Sequence, residues 1–281
     1  MRRRLVVNAD DFGRSRGVSA GIVEGHLDGL VSTTTALVNL PGALDDVAQA
    51  ARRAPALGLG VHFNLTLGRP VADPTSVASL VTPQGTFLSP DELVARVDRI
   101  DTEEVAREWR AQIEAFLSTG ASLDHLDSHH HVALLSPAWW AICLDLAAGF
   151  RCGVRPPAPA DPSDDVLFSR FPEATRRFAA GDAARLRAAR GVPSPDRLVT
   201  RFFGAQATLG TLLAVLEEVP GGTTELMCHA GRLDAVLLAE SGYAQERELE
   251  LVALISAPAR EAASRLAIEC GTYRQLVNAN A

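Results

Sequence analysis

The sequence predicts an α/β fold in which about seven parallel strands form a distorted (β/α) barrel of the TIM type. Short apolar runs rich in β-branched residues alternate with helix-like segments along the 281 residues. This alternation is typical of a parallel sheet covered by helices. No Gly-x-Gly-x-x-Gly motif follows the first strand, so a dinucleotide-binding sheet is not supported. Because no repeat, low-complexity tract or linker divides the chain, we expect a single domain over residues 1–281.

The first half of the chain gives the most regular pattern. We expect strands at residues 5–7, 31–39 and 57–65, and helices at residues 16–29 (ending at Gly29) and 42–53. Residues 66–100 carry four prolines, Pro70, Pro74, Pro83 and Pro90, and are predicted to be rich in loops. The clearest helix is predicted over residues 102–118, where four apolar residues recur at helical spacing: Val105, Trp109, Ile113 and Phe116.

The second half repeats the alternation with weaker signals. Strands are predicted at residues 122–128, 150–154, 197–202 and 223–228, and a short edge strand at 266–268. Helices are predicted at residues 136–148, 208–218, 244–256 and 258–268. Residues 156–196 are rich in Pro, Asp and Arg, and we expect a partly helical excursion from the barrel there.

Composition excludes several classes of protein. The net charge is −7 and every basic residue is Arg, so a general nucleic-acid binder, a Walker-A lysine and a Schiff-base lysine are not expected. The four cysteines form no C-x-x-C pair, which is typical of reduced thiols in the cytoplasm. Only three apolar residues, 5–7, follow the N-terminal arginines before Asn8, which is shorter than the apolar region of a signal peptide. No uncharged apolar run in the sequence is long enough for a transmembrane helix. We therefore expect a cytoplasmic protein.

Polar residues fall where the predicted strands end. In a barrel the carboxyl ends of all strands meet at one mouth, where active sites form. The residues at these ends are Asp10, Asp11, His62, His129, His130, His131, Arg155 and His229.

Asp10 and Asp11 are adjacent carboxylates directly after an apolar strand. They repel each other unless a cation or a proton intervenes. We interpret them as one metal ligand and one general base, with a loop of helix-capping aspartates as the alternative.

Residues 124–131 form the most specific cluster. Residues two apart on a strand share a face, so His125, Asp127 and His129, and His131 if the strand runs on, are predicted to point the same way. Asp127 is expected to orient a ligating histidine. One Asp and two His leave open positions on a divalent ion, which can polarise a carbonyl and activate water, and such ligands suit zinc better than magnesium. His229 could protonate a leaving amine, or could be a buried structural histidine.

Several ordered motifs cover almost the whole chain: residues 8–13 (NADDFG), 34–39 (TTALVN), 60–66 (GVHFNLT), 125–132 (HLDSHHHV), 225–229 (ELMCH), 241–243 (SGY) and 247–249 (REL). Together they resemble the motifs of the YdjC-like carbohydrate deacetylase family, which includes the chitooligosaccharide deacetylases. Residues 8–13 are similar to the first signature of this family.

The resemblance implies a barrel related to the polysaccharide deacetylases and one divalent ion, usually given as Mg²⁺. By motif, the ion would be bound by Asp11, His62 and His129. Asp10 would be the general base and His229 the acid. Residues 154–157, Val-Arg-Pro-Pro, are similar to a motif whose Arg, here Arg155, steadies the catalytic Asp. Asp127, His130 and His131 are expected to support the ligands or to contact the substrate.

The predicted function is a metal-dependent hydrolase that removes acetyl from an N-acetylated amino sugar and gives acetate and a free amine. A glycoside hydrolase on the same barrel is an alternative, but it needs two carboxylates roughly 5 to 9.5 Å apart, which adjacent aspartates fit poorly. A catalytically silent sugar-binding protein is a second alternative. The sugar could be chitobiose, a glycolipid amino sugar or an antibiotic intermediate, and the resemblance also allows a homodimer.

Two positions depart from the family pattern near the predicted mouth. Ala230 stands where the family commonly has Pro, and Ala133 stands where another His often lies. Both bear on the choice of sugar more than on the metal ligands.

Overall fold

Parallel strands curl into a half-barrel in the computed structural model, which describes residues 2–161 and 171–275. The strands in these ranges are β1 (Arg3–Phe12), β2 (Thr33–Ala36), β3 (Gly58–Phe63), β4 (Leu123–Ser128), β5 (Gly153–Val154), β6 (Arg197–Val199), β7 (Gly222–Cys228) and β8 (Ile268–Cys270). Their order is β5-β4-β3-β2-β1-β7-β6, and every pairing is parallel. This confirms the predicted α/β class and the distorted (β/α) barrel.

Strand β1 lies at the centre of the sheet. On one side its residues 3–9 pair with β7, and on the other side its residues 3–5 pair with β8 and its residues 8–12 with β2. No ladder joins β5 to β6 within the described ranges, so the barrel is open between these two short strands.

Helices cover the outside of the sheet. The described α-helices are α1 (Arg16–Asp28), α2 (Ala43–Arg53), α3 (Pro90–Arg96), α4 (Thr102–Ser118), α5 (Pro137–Phe150), α6 (Glu173–Ala180), α7 (Asp182–Ala189), α8 (Leu209–Glu218), α9 (Ala235–Glu240), α10 (Gln245–Leu254) and α11 (Ala257–Arg265). Single 3₁₀ segments cover Pro74–Leu80, Val97–Arg99, His129–Leu134 and Gly204–Gln206. Among the described helices, none combines the length and the apolar character that crossing a membrane requires.

Helix α4 has the predicted bounds and buries the predicted apolar face. Asp101 caps its first turn by accepting the Glu103 N–H at 2.8 Å. Trp109 stacks on Phe63 of β3, with ring centroids 4.6 Å apart. This contact fixes the helix against the strand that carries His62.

Several predicted boundaries differ from the structure. Strand β1 includes residues 8–11, at which the predicted strand ends, and runs on to Phe12, because the polar residues among them stay buried and paired inside the sheet. The strand predicted at 150–154 is only Gly153–Val154, since α5 continues to Phe150 and Arg151 closes it in a left-handed conformation (φ 55°).

The remaining differences concern short elements and the excursion. Helices α3 and α9 were not predicted, and the edge strand lies at Ile268–Cys270 rather than at 266–268. The excursion holds α6 and α7, and its residues 162–170 lie outside the described part of the chain. The single domain over residues 1–281 stays a prediction.

Candidate active site

A cavity of about 490 Å³ opens at the carboxyl ends of the strands. Its walls come from the ends of β1, β3, β4 and β7 and from the loops that follow them. The residues that line it include seven of the eight predicted from the strand ends, namely Asp10, Asp11, His62, His129, His130, His131 and His229. Arg155 lies buried beneath them.

Asp10 and Asp11 both reach this cavity because β1 is irregular there. Adjacent residues of a regular strand point to opposite faces. Here Ala9 pairs with Thr34 while Phe12 pairs with Ala36, so β1 holds one extra residue, and Asp11 has a left-handed φ of 70°. The irregularity turns both carboxylates to one side: oxygens of Asp10 and Asp11 lie 3.9 and 3.4 Å from His62 Nε2.

Asp11, His62 and His129 form a group that could hold a metal ion. Asp11 Oδ1 lies 3.0 Å from His129 Nδ1 and 3.4 Å from His62 Nε2. It is buried and accepts no hydrogen bond from the described residues. A buried carboxylate oxygen without a donor is costly unless a cation takes its place. The donor set therefore fits a divalent ion.

Asp127 fixes the orientation of His62. His62 Nδ1 lies 2.6 Å from Asp127 Oδ1, which leaves Nε2 directed at Asp11. Asp127 Oδ2 accepts from Thr35 Oγ1 at 3.0 Å and lies 3.0 Å from Arg155 Nη2. Burial lowers the pKa of His62, but the Asp127, Asp11 and Asp10 carboxylates outweigh it and raise that pKa to about 10.

The charges around the group are unbalanced without a cation. Apart from Glu250, whose pKa is raised by burial to about 8, two guanidiniums face four buried carboxylates in the described part of the site: Arg155 and Arg247 against Asp10, Asp11, Asp127 and Glu225. The excess of two negative charges is what one divalent ion would neutralise. In the metal-free protein, the high pKa of His62 means that a proton on this histidine offsets part of the excess.

Arg155 forms a bidentate ion pair with Asp10 beneath the cavity. Its Nη1 and Nη2 donate to the two Asp10 oxygens at 2.8 and 2.5 Å, and its Nε donates to Glu225 at 2.8 Å. Burial alone would raise the pKa of Asp10, but the Arg155 guanidinium holds that pKa well below its usual range. Asp10 is therefore ionised, and the contact is the one implied by the arginine motif.

His229 follows β7 and lines the cavity. Its Nδ1 is buried and has no hydrogen-bond partner among the described residues, while its backbone N–H donates to Glu250. Burial lowers the pKa of His229 to about 4, although Asp10 and Asp11 oppose that shift. Its ring meets Phe203 edge-on at 5.2 Å, and Phe203 stacks on Tyr243 at 4.4 Å.

The histidine triplet, residues 129–131, lies wholly after the end of β4. The strand stops at Ser128, and His130 and His131 both have a left-handed φ of 52°. The predicted alternation therefore does not extend to His131, which instead meets Phe171 edge-on at 6.4 Å. His130 Nδ1 lies 3.1 Å from Thr66 Oγ1, and burial lowers the pKa of His130 to about 3. His125 lies deeper in the barrel, stacked on Tyr273 at 3.9 Å.

Other residues of the site had no predicted role. Arg247 of α10 donates from Nη2 to Asp11 Oδ2 at 2.5 Å, and Glu250, with a pKa raised by burial to about 8, accepts from Tyr243. A signal existed for Glu225, since a carboxylate inside an otherwise apolar strand is rare. Ala133 and Ala230, which depart from the family pattern, are buried and do not line the cavity.

The fold and the site define an α/β-barrel protein with an aspartate–histidine group at the carboxyl ends of its strands. The chain belongs to the YdjC-like protein family, whose model matches residues 4–265. It is 33% identical over 276 residues to a carbohydrate deacetylase of Geobacillus stearothermophilus, covering 98% of both chains. It is 33% identical over 277 residues to a chitooligosaccharide deacetylase of Salmonella typhimurium, covering 97% of this chain and 99% of that one.

A solved structure of similar fold comes from Enterococcus faecalis V583, where it is described as a putative cellobiose-phosphate cleavage protein. Its TM-score is 0.85 at 31% identity, covering 98% of this chain and 99% of that chain. The architecture of the whole barrel is therefore shared with this protein.

Proposed function

We propose that this protein is a metal-dependent carbohydrate N-deacetylase, which hydrolyses the acetamide of an amino sugar to acetate and the free amine. The observation that carries the proposal is the buried Asp11 Oδ1, which accepts no hydrogen bond from the described residues and lies between His62 Nε2 and His129 Nδ1, beside an ionised Asp10. The names of the full-length relatives support the carbohydrate substrate and the deacetylation.

Asp11, His62 and His129 would hold the ion. When bound there, a divalent ion would supply a Lewis acid that polarises the acetyl carbonyl and lowers the pKa of water. Zn²⁺ or a similar metal suits two imidazoles and one carboxylate, whereas the family resemblance implies Mg²⁺. Asp127 fixes the ring of His62, and Arg247 holds Asp11 Oδ2 so that Oδ1 faces the histidines.

Asp10 would act as the general base. Because Arg155 keeps it ionised, Asp10 accepts the proton of the attacking water as the oxygen adds to the acetyl carbon. A low pKa makes Asp10 a weak base, which suffices only for a water whose own pKa is lowered. The fixed contacts of Asp10 with Arg155 also keep its free lone pairs in one direction.

His229 would donate a proton to the amine as the C–N bond breaks. Its low pKa leaves it neutral at pH 7 in the free protein. Negative charge that develops on the acetyl oxygen beside it raises that pKa, so His229 takes up a proton from solvent as the reaction proceeds and then passes this proton to the amine. The oxygen of the water becomes part of acetate, and the proton that Asp10 accepted returns to solvent.

Phe203, Tyr243 and Leu67 give the cavity an apolar side, whereas His130 and His131 add polar groups near the rim. An amino sugar has both an apolar ring face and polar hydroxyls, which suits such a cavity. We propose that His130 and His131 contact the substrate. The cytoplasmic location and the homodimer stay predictions.

The experiment is acetate release from N-acetylglucosamine and its β-1,4 dimer and trimer. Metal-free protein is compared with protein given Mg²⁺, Zn²⁺, Co²⁺ or Ni²⁺. We expect release only with metal and loss of both bound metal and activity in His62→Ala and His129→Ala. His26→Ala is the matched control, because His26 lies on α1 and bonds the Val31 carbonyl away from the cavity.

Asp10→Asn separates chemistry from metal binding. It should keep the ion and lose at least about a hundredfold in kcat, since it removes the base. Release of reducing sugar without metal would point instead to a glycoside hydrolase, and sugar binding without turnover at any metal to a silent binding protein. Full metal retention in both histidine variants would contradict the ligand assignment.

A further inference from the structure

The C-terminal segment of the described chain crosses the floor of the barrel. Strand β8 pairs with the start of β1, and Gly271 N–H donates to the Leu5 carbonyl at 2.9 Å. The backbone N–H groups of Tyr273 and Arg274 then donate to the Asp124 carboxylate of β4 at 3.1 and 2.9 Å. These bonds hold the segment beneath the site.

Tyr273 fills the interior at this level. Its side chain is fully buried and stacks on His125, with ring centroids 3.9 Å apart. A Cβ atom at Gly153 would lie 2.7 Å from Tyr273 Cδ1, so the ring fits against β5 only because that residue is glycine. Gly153 lies two residues before Arg155, so Tyr273 packs against the strand that delivers this arginine.

The Tyr273 hydroxyl begins a continuous chain of buried hydrogen bonds to the proposed base. It donates to Glu225 Oε2, while Glu225 Oε1 accepts from Arg155 Nε at 2.8 Å. Arg155 in turn donates to both oxygens of Asp10. Both oxygens of the fully buried Glu225 carboxylate are thereby paired, which is what a buried carboxylate requires.

Without this chain of hydrogen bonds, Arg155 could turn from Asp10 toward a second carboxylate. Asp127 Oδ2 lies 3.0 Å from Arg155 Nη2, so the guanidinium could rotate toward Asp127 and release Asp10. Glu225 on the Nε edge fixes the plane of the guanidinium with both Nη atoms toward Asp10. The Tyr273 hydroxyl occupies the second oxygen of Glu225 and so keeps the first oxygen at Nε.

The structure assigns Tyr273 a positioning role: acting through Glu225 and Arg155, its hydroxyl fixes the direction of the Asp10 carboxylate. This inference rests on the proposed function, in which Asp10 is the base. Tyr273 does not reach the cavity, so its effect falls on the chemical step and not on substrate binding.

The first test is Tyr273→Phe, which removes one oxygen and keeps the ring. We expect kcat to fall about tenfold, the loss of one buried bond to a charged group, with KM and metal affinity unchanged. Thr224→Val is the matched control: Thr224 precedes Glu225 on β7, and its buried hydroxyl has no hydrogen-bond partner in the described structure. It should leave kcat unchanged.

A double-mutant cycle tests whether the hydroxyl acts through Glu225. Glu225→Gln should lower kcat more than Tyr273→Phe does, because it removes the charge that faces Arg155 Nε. In the Glu225→Gln background, Tyr273→Phe should then cost no further activity. Two independent losses that multiply, or a loss of bound metal together with kcat, would overturn the positioning role and indicate general destabilisation.

A measurement without turnover keeps the inference separate from the proposed function. In NMR spectra, the Arg155 Nε–H signal, assigned by its disappearance in Arg155→Lys, should exchange slowly with water. It should shift and exchange faster in Tyr273→Phe, and stay unchanged in Thr224→Val. An unchanged signal in Tyr273→Phe overturns the inference. Absence of acetate release by the wild-type protein, with this signal behaving as expected, would instead contradict only the proposed function.

Discussion

Asp127→Asn is the substitution that tests most directly whether Asp127 sets the orientation and the tautomer in which His62 would bind a metal ion. Asp127 Oδ2 accepts from Thr35 and faces Arg155, and both of these groups are donors. In the variant, the amide oxygen would keep that side and its NH₂ would turn to His62 Nδ1. An NH₂ donor there requires Nδ1 to be an acceptor, so the proton of neutral His62 would move to Nε2. Nε2 would then be unable to bind the ion.

The expected loss of metal affinity in Asp127→Asn can be estimated from the role of Asp127 as the residue that orients His62. Loss of a carboxylate that orients a ligating histidine typically costs 10- to 100-fold in metal affinity, which is about 1.4 to 2.7 kcal/mol. The 2.6 Å contact and the complete burial of the Asp127 side chain favour the upper half of this range. The fold should survive, because the amide keeps the shape of the carboxylate and the bonds to Thr35 and Arg155.

Calorimetric titration of metal-free protein with Zn²⁺ measures this affinity. Asp46→Asn is the control, since Asp46 is a buried carboxylate of α2 that pairs with Arg16 outside the site. We expect its affinity to match that of the wild type. If Asp127→Asn also binds Zn²⁺ within about twofold of the wild type, the orienting role of Asp127 is wrong.

Further predictions concern charge and protonation at the same site. Arg247→Met removes the donor at Asp11 Oδ2 and should weaken Zn²⁺ affinity about tenfold in the same titration; unchanged affinity would count against a supporting role for Arg247. Since the pKa of His62 is about 10 in the metal-free protein, binding of one ion at pH 8 should release about one proton, seen as a buffer-dependent binding enthalpy; a buffer-independent enthalpy would contradict this. Burial raises the pKa of Glu250 from 4.5 to about 8, so the folded state holds the Glu250 proton more tightly than the unfolded state does. The free energy of unfolding should therefore fall as the pH rises from 4.5 to about 8. Glu250→Gln should flatten that part of the pH dependence of Tm, and an unaltered profile would exclude Glu250 as its source.

The sequence predicted those features that depend on neighbouring residues or on strand direction. Helix α4 has the predicted bounds because its periodicity, its Asp101 cap and its packing all agree. Asp11, His62 and His129 come together as expected, because residues at the carboxyl ends of parallel strands share one edge of the sheet.

Features that depend on distant contacts could not be predicted. Nothing in residues 271–275 indicates that Tyr273 returns beneath Glu225, since only the pairing of β8 with β1 brings it there. The local pattern also left open the course of the chain beyond Ser128, where the predicted strand ends. Two successive left-handed residues, His130 and His131, are unfavourable in isolation and exist here because Thr66 and Phe171 hold the turn.

The irregular end of β1 links the backbone to the chemistry of the site. A left-handed residue other than glycine costs about 1 kcal/mol or more, and Asp is among the residues that tolerate it best. A regular strand would avoid this cost but would send Asp10 and Asp11 to opposite faces of the sheet. Arg155 below Asp10 and Arg247 beside Asp11 offset the repulsion of the two carboxylates in the bulged form. Each arginine leaves part of its carboxylate toward His62, so the strain at Asp11 is what allows one small site to hold a proposed ligand and a proposed base side by side.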